Sequence, residues 1–469
     1  MTRSSQAWTL ALTSIAFLMV TLDALVVVTA LPAIHRELGA DLAQLEWTIN
    51  AFTLAFAAGI ITAAALGDRF GRRRVFVIGL AVFTVASAAC ALAPNAGLLV
   101  AARAIQGLGA AMVMPLSLTI LVAAFSPERR GTIVGIWGAL GGLGVAGGPL
   151  VGGAVTQGLD WHWIFWVNVP IGAVAIVLSL LRLPETRGPA TRLDLAAAAL
   201  VGGGATGIVW GLIRAGEIGW TAAEAIVTLV IGVALLAAFI VWEARASEPM
   251  LPLRLFRSRA FTASIATGFF LSGSIFSAAF LVAQFFQIGL GYSPLESGLR
   301  VLPWTATPFF IAPIGGALSD RIGRRPLLFT GLVLQAAGFA WLAGVASTTT
   351  EYGLMIAPLV LAGIGISLAL PVAPTAVLGS VSPADVGKAS GVNSTMQRFG
   401  SAFAIAIASA VFAANGQLGS AAAFTAGFRP ALTVVAALSL LGAFAALAIS
   451  RQPSAAGVPV PVAPATAAE

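Results

Sequence analysis

Two charged residues interrupt apolar runs of this chain. Asp23 lies within the run Trp8–Ile34, in the stretch Thr21-Leu-Asp-Ala-Leu-Val-Val-Val-Thr-Ala-Leu-Pro32, with no basic residue near it in the chain. Arg103 lies within a second run that begins at Gly97. Apolar surroundings favour the neutral acid and a nearby cation favours the carboxylate, so an acid held between those pulls can bind and release a proton. At 1.5 Å per residue Asp23 stands about 22 Å from Trp8 and about 16 Å from the other end of its run, and Arg103 about 9 Å from that same end. A long guanidinium side chain bridges the difference if the two segments face each other. The expected chemistry is reversible protonation of Asp23, with Arg103 holding the ionised form directly or through Gln106 and water. The competing readings are a structural carboxylate bonded to backbone and an arginine that snorkels toward carbonyls.

The elements that position these groups follow from composition. The 469 residues are 59% hydrophobic and 9% charged, against about 25% charged in a soluble globule. Fourteen apolar runs approach the roughly 20 residues that cross a bilayer as helix: Trp8–Ile34, Trp47–Leu66, Val75–Leu92, Gly97–Ala124, Gly131–Val155, Trp163–Leu183, Leu193–Ile213, Thr221–Val241, Phe261–Phe286, Gly298–Leu318, Leu327–Val345, Met355–Val377, Ser394–Ala413 and Pro430–Ile449. A membrane barrel would instead alternate in segments of about 10 residues. The first run exceeds a signal-peptide core and is read as a span. An ionisable group near mid-membrane costs several kcal/mol unless it has a partner or a cavity, which marks Asp23 as functional.

Arginine sets the orientation. Loops carrying Arg69, Arg72, Arg73, Arg74, Arg129, Arg130, Arg182, Arg187, Arg254, Arg257, Arg259, Arg321, Arg324, Arg325 and Lys388 fall on one side, against Arg36, Arg214, Arg300 and Arg429 on the other. Both termini are expected in the cytoplasm. The net charge of +7, one Lys against 24 Arg, follows this topology and forms no nucleic-acid patch. The loop Gly67-Asp-Arg-Phe-Gly-Arg-Arg-Arg74 recurs as Ser319-Asp-Arg-Ile-Gly-Arg-Arg-Pro326, each copy joining the second and third spans of a six-span half. The expected organisation is a half at 1–183, two inserted spans with their linkers at 184–259, a second half at 260–450 and a disordered tail at 451–469. Parallel halves with a central site suggest a transporter.

At these residues the chain resembles the major facilitator superfamily, and within it the fourteen-span drug:proton antiporters, from about Trp8 to Ile449. Besides the loop motif, the resemblance is carried by Leu99-x3-Arg103-x2-Gln106-Gly107-x-Gly109-Ala110-Ala111, by Gly144-x3-Gly148-Pro149-x2-Gly152-Gly153, by Trp161-His-Trp-Ile-Phe-Trp-Val-Asn168-Val-Pro170-Ile-Gly172, and by Leu22-Asp23 with Ala30-Leu31-Pro32. The chain departs from the pattern at Ala64, where the first loop copy lacks the leading glycine that Gly316 supplies in the second. It departs again at Leu25 and Val28, where the first span commonly carries Thr and Asn, leaving Asp23 with fewer polar neighbours on its own helix. The resemblance implies an all-α membrane fold of two six-helix halves plus two extra helices, and drug efflux by proton antiport with the glycine-rich fifth span as the antiport motif.

The loop residues Asp68, Arg69, Gly71, Arg72 and Arg73, with Asp320, Arg321, Gly323 and Arg324 in the second copy, read as a latch that favours the outward-open state. An Asp there meets the positive end of a neighbouring helix. Gly144, Gly148, Gly152 and Gly153 permit close helix contact, and Pro149 permits a kink. A substrate site between the halves would draw on Asn50, Phe52, Gln106, Met114, Phe280, Gln284, Gln287, Trp304 and Asn393, a soft aromatic wall. With Asp23 the one central carboxylate of these spans, singly cationic or neutral lipophilic drugs are expected, with membrane lipid and protons the other partners and a monomer the expected state. Cys90 has no second cysteine to bridge, and His35 and His162 stand in separate loops with no carboxylate or thiolate cluster around them, so no metal or cofactor is expected. No phosphate-binding loop supports an ATP-driven pump, and no catalytic cluster supports an enzyme. A dedicated exporter of one metabolite or self-made antibiotic, and a non-transporting membrane receptor or scaffold, are the rival readings. The cell membrane of a bacterium is the expected location.

Overall fold

The computed structural model describes residues 3–188, 194–246, 249, 251–382 and 385–449, and the expected tail at 451–469 lies outside them. Among the described residues the regular structure is helical. The chain opens with α1 (Arg3–Leu38), α2 (Leu42–Phe70), α3 (Arg72–Ala91), α4 (Ala96–Ala124), α5 (Pro127–Gly158), the short α6 (Trp163–Trp166) and α7 (Asn168–Arg182). Next come α8 (Leu195–Ile218) and α9 (Ala223–Arg245). Then follow α10 (Arg259–Gln284), which runs into a π-helical turn at Phe285–Gly289, α11 (Pro294–Thr305), α12 (Thr307–Ile322), α13 (Arg324–Val345), α14 (Gly353–Ala369), α15 (Val372–Leu378), α16 (Val386–Asn415) and α17 (Ala421–Ala446).

Twelve helical stretches among the described residues are long and apolar enough to cross a membrane, thirteen if the bent α5 is one span. The expected span Gly298–Leu318 falls on α11 and α12, of 12 and 16 residues. Pro308 explains the interruption, since it lacks the N–H that would bond back to Trp304. In α5 the segments 133–145 and 147–158 meet at 43°, where Pro149 leaves the Val145 carbonyl without its helical donor.

Local chemistry fixes the helix ends. Asp41 with Gln44, and Ser293 with Glu296, close reciprocal capping boxes at α2 and α11. Asn95, Asp194, Ser258 and Ser420 cap α4, α8, α10 and α17. In the two loop motifs Gly71 and Gly323 have φ of 113° and 87°, a region nearly closed to residues with a Cβ. The motif glycine is therefore dictated by the turn between two helices that follow almost without a break.

The glycines of α5 have an identifiable partner. A Cβ on Gly144 would lie 2.3 Å from Thr21 Oγ1, on Gly148 2.8 Å from Leu25 Cβ, and on Gly152 2.3 Å from Thr29 Oγ1. The stripe thus seats α5 on the turns of α1 that flank Asp23. On its other side Gly153 abuts the Pro294 carbonyl, and Gly298 of α11 abuts the Pro149 carbonyl. This seam lies at the end of the bundle opposite the arginine-rich loops. It is reinforced by Gln287 of the π turn donating to the Thr29 carbonyl at 2.9 Å and by the Leu295 N–H donating to Gln157 at 3.1 Å.

The helices α8 and α9, on the two spans expected as an insertion, differ in packing. α8 packs along both α2 and α16, with Trp210 against Trp47 at 5.4 Å and Gly216 against Ala410. α9 packs on α8, with Gly232 against Ile208, and keeps most of its surface outward. α9 is therefore peripheral, whereas α8 fills the α2/α16 seam. The linker after α9 is pinned by Arg254, which donates to both oxygens of Asp385 at 2.5 and 3.1 Å, while Ser382 donates to the same carboxylate at 2.9 Å.

The packing predicts opposite signs for two neighbouring substitutions. Gly152→Ala should lower the unfolding temperature in detergent, by the about 1–3 kcal/mol typical of overpacking. Gly147→Ala, whose Cβ meets nothing within 4 Å, should leave it unchanged or raise it, because Ala is the better helix former. Equal effects would remove the α1/α5 contact from the account. A second prediction concerns acid. The Arg254 guanidinium, and behind it the Ser382 hydroxyl, hold the Asp385 carboxyl below its usual range. A depressed folded pKa stabilises above the unfolded value and is lost as pH falls through the folded one, so the window lies below about pH 4. The gap in unfolding temperature between wild type and Asp385→Asn should hold from pH 7 to 5 and shrink below about pH 4; a gap that widens with acid would contradict the pairing.

Candidate functional site

Asp23 and Arg103 are both fully buried, and the guanidinium donates directly to the carboxylate from Nη1 to Oδ2 at 2.5 Å. The polar neighbours that α1 lacks come from other helices. Gln106 Nε2 donates to Asp23 Oδ1 at 2.9 Å and Asn168 Nδ2 donates to the same oxygen at 2.8 Å. Arg103 Nε donates to the Thr48 carbonyl at 3.0 Å, and Nη1 also reaches Gln106 Oε1 at 2.6 Å. Gln106 further donates to Ser87 at 2.7 Å, and Cys90 Sγ lies 3.7 Å from its carbonyl oxygen. All four bonding positions of that amide are in use.

The helices place these groups for identifiable reasons. α4 supplies Arg103 and Gln106 one turn apart on one face. Gly107 then leaves room for the Phe52 backbone, whose carbonyl would lie 2.3 Å from any Cβ there. That approach sets the Phe52 ring under the guanidinium, 4.3 Å from its centroid, with Phe165 at 5.7 Å. A charge-assisted network with this many donors offsets a desolvation of several kcal/mol per ion. Nη2 of Arg103 makes no hydrogen bond, so the cation is held through Nε and Nη1 and by the aromatic faces.

The expected substrate residues divide. Phe52 and Gln106 belong to the ion-pair network. Met114 faces Arg398, whose Nη2 lies 3.9 Å from its sulfur. Asn50 is buried on α2 with its amide bonded to nothing in the protein. Gln284 donates back to the Phe280 carbonyl at 3.0 Å within α10, and both side chains are buried. Gln287 belongs to the seam described above. Trp304 packs edge-on against Phe339 at 5.6 Å. Asn393 accepts from Gln397 at 3.3 Å. These residues do not converge on one cluster.

The first loop motif bonds to the segment that follows α7. Arg72 pairs with Asp68 at 2.8 Å, Arg73 reaches Glu185 and the Leu183 carbonyl, and the Gly188 N–H meets the Asp68 carbonyl. Arg69 lies over the neighbouring Phe70 ring. In the second copy Arg324 packs against Gly379 at the end of α15 and Arg321 is exposed. The Asp320 side chain lies outside the described ones.

Several residues escape the sequence reading. Asn168 lay in a quoted motif without a role, and its signal was a lone amide among aromatic residues. Glu46, read as preceding the second span, is buried in α2 opposite Ser409, so Asp23 is not the only buried carboxylate. Arg398 interrupts an expected span in the same way as Arg103. His162 lies 3.0 Å from Asp160 and 3.5 Å from Glu37, and among the described residues no group of side chains suits a metal ion.

The structure is a multi-pass helical bundle that holds a fully buried ion pair. The model of the Major Facilitator Superfamily matches residues 13–310 and 301–468, and the chain belongs to that family. It is 35% identical over 87% of its length to the multidrug resistance protein Stp of Mycobacterium tuberculosis, covering 76% of that protein. It is 34% identical, with the same coverage of each chain, to the tetracenomycin C resistance and export protein of Streptomyces glaucescens. It is also 34% identical to the puromycin resistance protein of Streptomyces alboniger, over 91% and 85%. Among solved structures a peptide transporter in complex with sulfate shares the fold, with a TM-score of 0.69 at 17% identity over 94% of each chain. These relatives support an efflux transporter of small molecules.

The network predicts a specific non-additivity. Asp23→Asn or Arg103→Gln alone leaves a buried charge unpaired and should cost about 3–5 kcal/mol of stability. The double variant should be at least as stable as either single one, read from thermal unfolding of the purified protein. Additive losses would show that the two charges do not depend on each other.

Proposed function

We propose that this chain exports lipophilic drugs from a bacterium in exchange for protons, by alternating access in the inner membrane. The single observation that carries the reading is the fully buried Asp23–Arg103 pair, with Gln106 and Asn168 donating to the carboxylate and the Thr48 carbonyl accepting from the guanidinium. A proton entering from outside neutralises Asp23 and ends its hold on Arg103, which keeps the Thr48 carbonyl and the Phe52 face. Loss of the proton to the cytoplasm restores the pair. The names of the relatives support efflux of toxic compounds.

In this reading the chain crosses the membrane fourteen times as a monomer of the fourteen-span drug:proton antiporter branch. α5 and the α11–α12 pair each count as one crossing, residues 1–183 and 260–450 form the halves, and both termini are cytoplasmic. The seam of α5 against α11 then closes the outer side. The first loop motif, bonded to the segment that follows α7, fits a latch released in this form and engaged when the outer side opens. Neutral or singly cationic lipophilic drugs are the expected substrates. The relative named for tetracenomycin C export favours, as a second reading, a dedicated exporter of one compound.

Purified protein in liposomes with an acidic interior and a pH-sensitive dye tests the reading. Chloramphenicol or ethidium added outside should drive proton efflux, at least tenfold slower in Asp23→Asn. Equal efflux in both proteins would move the proton site away from Asp23. No efflux across a varied drug panel would overturn the multidrug reading.

A further inference from the structure

Arg398 of α16 is a second cation within an expected span, and it differs from Arg103 in having no acid among the described residues beside it. Its described contacts are the Phe56 ring at 4.4 Å, the Phe276 ring at 5.9 Å and the Met114 sulfur at 3.9 Å. These come from α2, α10 and α4, so Arg398 lies where helices of both halves meet. Its side chain is half-buried, so it is open on one side. Asp23 does not serve it, because that carboxylate is taken by Arg103, Gln106 and Asn168. Glu46 does not reach it either, because Glu46 faces Ser409, about 16 Å farther along α16. A charge inside a membrane protein ordinarily has a counter-charge. Here the aromatic faces supply part of the stabilisation and the anion is missing.

We infer that Arg398 holds the acidic group of a transported amphiphile: one ionised carboxylate or sulfonate on an apolar, aromatic body. The guanidinium offers paired donors matched to such a group, and Phe56, Phe276 and Met114 suit the apolar part. The inference rests on the efflux reading and narrows its substrates, from neutral or singly cationic drugs to neutral and acidic ones, since an uncompensated cation repels another. Proton and substrate then bind different groups, joined through α2. Arg103 lies over Phe52, Phe52 meets Phe56 edge-on at 5.8 Å, and Arg398 lies over Phe56. Movement of Arg103 on protonation of Asp23 reaches Arg398 through two rings.

The test uses the full chain in neutral detergent at pH 8, with energy transfer from its tryptophans to pyrenebutyrate, pyrenebutanol or pyrenemethylammonium. Wild type should bind the acid about 10- to 100-fold more tightly than the alcohol, the range for a hydrogen-bonded charge, and the ammonium most weakly. Arg398→Gln should bring acid and alcohol within about twofold with alcohol binding unchanged, and Arg398→Lys should keep part of the preference. Equal binding of acid and alcohol by wild type, or a preference that survives Arg398→Gln, overturns the assignment. Loss of acid and alcohol binding alike in Arg398→Gln would make the residue a packing element and overturn it too. Drug-driven proton efflux without any preference for the acid overturns this inference alone; absence of both binding and efflux overturns the efflux reading with it.

Discussion

An ion pair in a medium that cannot solvate it constrains the rest of the molecule. Asp23 and Arg103 have no exposed surface, so every bond that water would have supplied must come from protein. Asn168 donates to Asp23 because α7 begins there, Gln106 because it follows Arg103 by one turn, and the Thr48 carbonyl accepts from Arg103 because α2 lies against α4. Each donor imposes a distance between helices, and each distance requires small residues at the crossing. The glycines of α4 and α5 are the consequence. Gly107 admits the backbone of Phe52, and Gly144, Gly148 and Gly152 admit the turns of α1 around Asp23.

The same helix ties the ion pair to the seam between α5 and α11. α5 holds α1 with one face and α11 with the adjacent residues Pro149 and Gly153. The bend at Pro149 lies within that double contact. A change in the spacing of α1 and α5 is therefore felt at α11, within a turn or two of helix. Interruptions of regular helix gather in the same region, at the π turn that bonds to Thr29 and at the break between α11 and α12. Such irregularities recur at functional sites because they free backbone groups and change the direction of a helix. α8 covers the complementary seam of α2 and α16, where Glu46 and Asn50 lie buried.

Much of this was legible before any coordinates. The helical class, the membrane setting and nearly all helix positions follow from apolar run length, which is a local property. The importance of Asp23 and Arg103 follows from the high cost of charge in hydrocarbon. The repeated loop revealed its glycine, and the structure supplies the reason in a positive φ. The substrate wall was the weakest part of the reading. Trp304 and Phe280 pack within the second half and Gln287 bonds across the seam, because an aromatic or amide residue carries no local mark of which face it presents. Arg398 was overlooked although it breaks an apolar run as Arg103 does, and Glu46 was assigned to a loop because apolar run length places helix ends only to within a turn.

The sequence by itself determined that this chain is a membrane bundle of helices, that one loop motif occurs twice, and that Asp23 and Arg103 lie at depths one guanidinium side chain can bridge. These follow from length, composition and the energy of burying charge, and none needs a partner helix to be known. Only the tertiary structure decided that Asn168 completes the carboxylate shell, that the α5 stripe faces α1, that α8 fills a seam and that Arg398 has aromatic rings but no acid. Those are relations between residues far apart in the chain, and a periodic pattern states that a face exists without stating what lies against it.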